Sequence, residues 1–199
     1  LSRGRGDVYK RQMVFCTSSE NAQKVDKTSH KSDEDKTIVD LAKQKQVLYN
    51  TPNKHYVVII DYTKSIDDVR LFLVDIERST IMLRSTVSHA RNSGLIFATN
   101  YSNERDTKKS SPGAYQTKGT YFGGFGYSMV LKGLELINNN AERRYIVFHS
   151  TGFNSDGKII DKKRIMHSKY SWGCFATSED INKKIIDMVK NGSLVYVKR

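Results

Sequence analysis

Polar and apolar positions divide this chain near residue 37. From Cys16 to Lys36 the residues are Ser, Thr, Lys, Asp, Glu, Asn and Gln with almost nothing apolar. Such a stretch buries too little surface to offset the entropy of ordering it, so 13–36 reads as a polar, flexible tether. Residues 37–49 then place Ile38, Leu41, Ala42, Lys45 and Leu48 at helical spacing, which predicts a short amphipathic helix. Asn50, Thr51, Pro52 and Asn53 stop it, and 37–53 is helix plus linker. Strand-like runs follow. Residues 55–62 are nearly continuous and β-branched, as in a core strand, and 69–76 and 80–88 supply two more. The short polar connector between the first two reads as a hairpin loop. Further strands are expected at 94–98, 114–117, 127–132, 144–149 and 193–197. After residue 50 only 178–190 looks helical, with Ser178 as N-cap, Glu179 and Asp180 in the first turn, and Asn191-Gly192 as the stop. Many strands, short turns and one late helix predict a mainly β sandwich or barrel over 54–199.

A length of 199 residues fits one domain, and 38% hydrophobic with 27% charged residues fits a globular fold with a polar segment attached. No window approaches the roughly 18 consecutive apolar residues that a membrane-spanning helix requires. Residues 1–12, LSRGRGDVYKRQ, have no apolar periodicity and resemble translated sequencing-adapter read-through. They are set aside as a non-native segment, a basic arm being the alternative. The net charge of +12 raises the question of a polyanionic partner. Lys and Arg are scattered rather than clustered, however, and no helix-turn-helix, zinc-finger or RNA-binding signature is present, so no nucleic acid is expected. A solvated basic surface and attraction to an anionic cell envelope both remain. The two cysteines, Cys16 and Cys174, lie in unlike surroundings without a CxxC pair, so neither a disulfide nor a metal site is expected.

Chemistry concentrates around Tyr170-Ser171-Trp172-Gly173-Cys174-Phe175-Ala176. A thiol nucleophile needs access, surroundings that favour its thiolate, and room for N–H groups to face a reacting carbonyl. Gly173 permits a tight turn before Cys174, and helix 178–190 follows closely. A buried structural cysteine is the competing reading. His149 ends the apolar run Tyr145-Ile146-Val147-Phe148, well placed for a strand-end base, though an isolated histidine there also fits a satisfied edge of the core. His55, His89 and His167 compete with it. His89 resembles His149 in context and is a candidate on the substrate side or behind the site.

These residues carry a family resemblance. His149-Ser150-Thr151, followed 25 positions later by the Ser171-to-Cys174 turn, resembles the catalytic signature of L,D-transpeptidases. Ser111-Pro112-Gly113-Ala114-Tyr115 resembles that family's Thr-Pro-x-Gly-x-Phe/Tyr strand. Segments such as VVIIDYTKSIDDVRLFLVDIERSTI, TVSHARNSG and NNNAERRYIVFH are similar to the murein subgroup of the YkuD-like superfamily, from about residue 55 to 197. The resemblance implies a β-rich catalytic domain acting on peptidoglycan peptide stems without a cofactor. Cys174 would attack the carbonyl after the meso-diamino acid of a tetrapeptide, releasing D-Ala. An amine would resolve the acyl-enzyme as a cross-link, or water as a carboxypeptidase; a catalytically idle peptidoglycan-binding module and an unrelated cysteine peptidase are the alternatives. His149 would be the base, oriented by the main-chain carbonyl of Ser150, with Gly173 and Cys174 N–H groups as oxyanion donors. Ser111, Tyr121, Gly126, Tyr127, Ser171, Trp172 and His89 are the candidates on the substrate side, although Tyr121, Gly126 and Tyr127 equally fit a packed Gly-rich hairpin. Two departures stand out. Trp172 occupies a position that is often His, which leaves His149 as the candidate base, and Ser150 replaces the usual Gly. Murein lies outside the cytoplasm, so a cell-envelope location is expected. Met13 to Ser19 reads as the stump of a lipoprotein signal with Cys16 acylated, with Phe15 a poor fit before it.

Overall fold

The structure, a computed structural model, describes residues 27–160 and 170–199. Ten strands and two α-helices are described. They are α1 (Lys27–Tyr49), β1 (Tyr56–Asp61), β2 (Leu71–Asp75), β3 (Thr80–Ser85), β4 (His89–Ala90), β5 (Gly113–Gly123), β6 (Gly126–Gly133), β7 (Val147–Ser150), β8 (Tyr170–Ser171), β9 (Phe175–Thr177), α2 (Glu179–Val189) and β10 (Leu194–Lys198). Eight strands form one mixed sheet in the order β3-β2-β1-β10-β5-β6-β7-β9, and β4 pairs with β8 in a separate ribbon. The outer strands curl toward each other. The Ser88 N–H donates to Ala176 O at 2.9 Å and the Ala176 N–H to Ser88 Oγ at 2.9 Å, so the chain after β3 meets β9 and the sheet is nearly closed. The fold is mainly β, as the turn and strand pattern predicts.

Why β1 reads as continuously apolar is visible in its surroundings. Val58 and Ile60 face a core shared with Tyr115, Phe148, Phe175 and the α2 residues Ile185, Ile186 and Val189. Val57 and Ile59 face the opposite way, onto Ile38, Val39 and Ala42 of α1. Helices cover both faces, so alternation disappears. β1 and β2 pair antiparallel across the short polar loop, in the register Val57↔Val74 and Ile59↔Phe72. Helix α2 ends where Asn191 and Gly192 take φ of 64° and 110°, the left-handed stop anticipated from their identity. The Ser178 hydroxyl, by contrast, makes no capping bond.

Three expectations are corrected. The first helix is not short, and 27–36 is not tether: α1 runs 23 residues from Lys27. Ile38, Val39 and Ala42 pack on the sheet, extending an already packed helix costs little, and the polar half is tied down by Glu34–Lys64 and Asp35–Arg84 ion pairs. Leu48, counted in the apolar stripe, is 64% exposed, because the buried face runs through Ile38, Ala42 and Gln46. Residues 94–98 form no strand. Gly94, at φ 143°, folds the segment back so that Thr99 and Asn100 both donate to Ser93 O, leaving Leu95, Ile96 and Phe97 exposed. Cys16, His167 and the first twelve residues lie outside the described residues. Among the described helices none is long and apolar enough to cross a membrane.

Candidate active site

Strand β7 ends at His149-Ser150 and pairs in parallel with β9, His149 opposite Ala176, so the histidine and the start of β9 are adjacent by register. The link from β8 to β9 is Trp172-Gly173-Cys174. Gly173 adopts φ 125°, and a Cβ there would lie 2.7 Å from Ile146 Cδ1. Ser171 clamps this turn: its Oγ accepts from the Gly173 N–H at 3.1 Å and donates to Cys174 O at 2.6 Å. The bend is therefore written locally, by a glycine and a serine two positions before it.

The turn delivers Cys174 to a cavity of about 340 Å³ that His149, Ser171, Trp172, Phe125 and Tyr145 also line. A second wall is charged, with Arg105, Asp106, Lys108 and Arg144. His149 is buried, and its Nδ1 lies 2.9 Å from Ser150 O. A carbonyl can only accept, so Nδ1 carries the proton and Nε2 is left as the basic nitrogen. The Phe125 ring packs on the imidazole with centroids 4.6 Å apart at 33°. The Cys174 thiol donates to Tyr145 O at 3.4 Å, and Tyr145 holds an unusual positive φ of 56° that sets the direction of this carbonyl. Burial pushes the thiol up to about 11, partly offset by a hydrogen bond from the Val147 N–H and by the Arg144 charge. At neutral pH the resting group is a thiol, and a base must remove its proton before it can attack.

Of the residues proposed from the sequence, the cavity brings together Cys174, His149, Ser171 and Trp172, with Ser150 supplying the carbonyl on Nδ1. The Gly173 N–H, expected as an oxyanion donor, donates to Ser171 Oγ inside the turn. His89 is fully buried away from the cavity. Its Nδ1 lies 3.0 Å from Arg70 Nη2 and its Nε2 2.8 Å from Gly94 O. It is therefore neutral with the proton on Nε2, accepting from a buried arginine, and does structural work. Ser111 is also buried, bonded to Tyr115 OH at 2.9 Å and to Arg144 Nη1 at 3.1 Å. Tyr127 stacks on Phe122 and donates to Asp187 Oδ1 at 3.2 Å, while Tyr121 lies against Gly123. Neither they nor Gly126 line the cavity. The β5–β6 hairpin reaches the site through its tip residue Phe125 instead, because the pairs Phe122↔Tyr127 and Gly123↔Gly126 leave Gly124-Phe125 as the turn. Residues missed from the sequence are Phe125, Arg144, Tyr145 and the loop residues Arg105, Asp106 and Lys108. Only Arg144 and Tyr145, just ahead of the His149 strand, carried a positional hint. Among the described residues no His/Cys/Asp/Glu group is arranged to hold a metal.

The sequence finds no significant match among curated proteins. Among solved structures it is similar to an L,D-transpeptidase from Mycobacterium smegmatis, at 10% identity and TM-score 0.43, covering 73% of this chain and 59% of that one. It is also similar to an L,D-transpeptidase from Stackebrandtia nassauensis, at 17% identity and TM-score 0.41, covering 73% and 56%. A third is the helical cell shape determining protein of Campylobacter jejuni, at 15% identity and TM-score 0.45, covering 72% and 47%. The chain thus spans roughly half to three-fifths of these proteins. Membership rests on the family model described as L,D-transpeptidase catalytic domain, which matches residues 31–197 and so takes in most of α1, the sheet up to Val197 and both His149 and Cys174. The chain belongs to the L,D-transpeptidase catalytic-domain family.

Proposed function

We propose that this chain is a cysteine acyltransferase of the cell envelope, acting on tetrapeptide stems of peptidoglycan. The observation that carries the reading is one cavity holding both Cys174 and a histidine whose Nδ1–H is fixed on Ser150 O, leaving Nε2 to take the thiol proton. Sulfur then attacks the carbonyl following the meso-diamino acid. The tetrahedral intermediate collapses to a thioester, and the released D-Ala amine receives the proton from His149. An amine from a second stem reverses the sequence and leaves a cross-link. The Cys174 N–H is the backbone donor proposed for the oxyanion, since that of Gly173 is held by Ser171. Ser171 and Trp172 would contact the stem, and the exposed Trp172 ring would shape the acceptor side.

Incubation with disaccharide-tetrapeptide, followed by mass spectrometry, tests this. The expected products are free D-Ala and a cross-linked dimer, with Cys174→Ala inert. Loss of D-Ala without dimer assigns water as the acceptor. Undiminished turnover by Cys174→Ala refutes the assignment, and binding of the stem without acylation replaces it with a receptor role.

A further inference from the structure

The charged wall of the cavity contains one cation that differs from its neighbours. Lys108 lies with Nζ 4.3 Å from the Trp172 ring centroid, and the exposed Arg105 sits 3.8 Å from the Asp106 carboxylate. Arg144 is half-buried, and its guanidinium is anchored from behind. Nη1 donates to Ser102 O at 2.8 Å and to Ser111 Oγ at 3.1 Å, while Nη2 donates to Lys109 O. Ser111 is itself fixed by Tyr115 OH. Every one of these acceptors is uncharged, so the contacts set the position of the guanidinium, and among the described residues none neutralises its charge. The same Nη2 also meets the nucleophile turn, since a Cβ on Gly173 would stand 3.3 Å from it. A fixed charge in a half-buried site acts more strongly than one in water.

We infer that Arg144 is the fixed cation of this site, the residue that stabilises negative charge on Cys174 as its proton passes to His149. The inference rests on the acyltransfer reading above. As His149 Nε2 takes the proton, sulfur keeps the bonding pair as a thiolate. That pair forms the S–C bond, and the carbonyl π pair moves to oxygen. One unit of negative charge thus passes from sulfur to oxygen beside a cation that need not reorganise. Ser111, bonded to both Arg144 and the core residue Tyr115, forms its pedestal. The mutual influence of charge on Arg144 and Cys174 is in the same direction, each favouring the ionised form of the other. Arg144 is a positioning residue that acts through Cys174.

The test follows alkylation of Cys174 in the full chain across pH, read by mass spectrometry of the Cys174 peptide, so that it needs no murein substrate. Arg144→Gln is expected to move the profile to higher pH and to slow iodoacetamide about tenfold at pH 8, with Arg144→Lys recovering most of the loss. A folded Gln variant with an unchanged profile overturns the inference, as does a Lys variant as slow as Gln. Should the Gln variant fail to fold, the chain carrying Arg105→Ala and Lys108→Ala decides. Anionic iodoacetate should gain on neutral iodoacetamide relative to the same ratio for glutathione, and an equal ratio overturns the inference. Failure of muropeptide turnover with this alkylation pattern intact would sink the acyltransfer reading alone.

Discussion

Gly173→Ala asks how tightly the nucleophile turn is built. The added methyl would lie 2.7 Å from Ile146 Cδ1, 3.2 Å from Lys109 O and 3.3 Å from Arg144 Nη2. A carbon–carbon contact relaxes at about 3.5–4.0 Å, so Ile146 must retreat by roughly 1 Å. It is 1% exposed and packed in the main core, which leaves it nowhere to go without displacing a neighbour. Overpacking of this kind costs about 1–3 kcal/mol. The φ of 125° adds a backbone penalty of about 1–2 kcal/mol for any residue with a Cβ. Together these come to about 2–5 kcal/mol, a large part of a typical folding margin of ~5–15 kcal/mol. Gly119→Ala is the control, since a Cβ there meets nothing within 4 Å. Its effect should stay within about 0.5 kcal/mol. Urea denaturation followed by far-UV circular dichroism measures both. The far-UV signal is preferable to fluorescence because the one tryptophan, Trp172, sits in the altered turn. A Gly173→Ala loss below about 1 kcal/mol, or equal to that of Gly119→Ala, would refute this account of the turn.

Two pH effects follow from groups that the fold shifts away from their ordinary titration. Cys174 titrates at about 11 in the fold against 9.0 for the ordinary thiol, so between these values the unfolded chain loses its proton first and stability falls as pH rises. The difference in unfolding midpoint between the parent and Cys174→Ser should therefore shift across pH 9–11 to the parent's disadvantage; a difference that stays flat would contradict the upward shift of the thiol. His89 is depressed below its ordinary 6.5, by burial first and by Arg70 as well, while its bond to Gly94 O works the other way. The unfolded chain then binds the proton first on acidification, so stability declines as pH falls below that value. His89→Gln, able to accept from Arg70 and donate to Gly94 O, should flatten this acid limb in thermal melts, and an unaltered limb would place the titrating group elsewhere.

Period and punctuation in the sequence determined much of the architecture. The β-branched run at 55–62, the Gly-rich hairpin and the 178–190 segment with its Asn191-Gly192 stop each state a local preference that packing reinforces. Cys174 and His149 were also legible, because a glycine before the thiol and a strand end at the histidine are local features. The turn at 94–98 and the helix from Lys27 were not. In the first, apolar residues find no partner strand; in the second, ion pairs to Lys64 and Arg84 hold a segment whose composition argues against order. The same limit applies to the walls of the site. Ser111, His89 and Tyr127 carry suitable groups, yet the fold points them into Arg144, Arg70 and Asp187. Phe125, Arg144 and Tyr145 acquire their places by the register of β5 with β6 and by a left-handed residue ahead of β7. Which side chains carry chemistry is a property of residue type and neighbours along the chain. Which of them share a cavity depends on strand register and on long-range partners, and only the tertiary structure decided that.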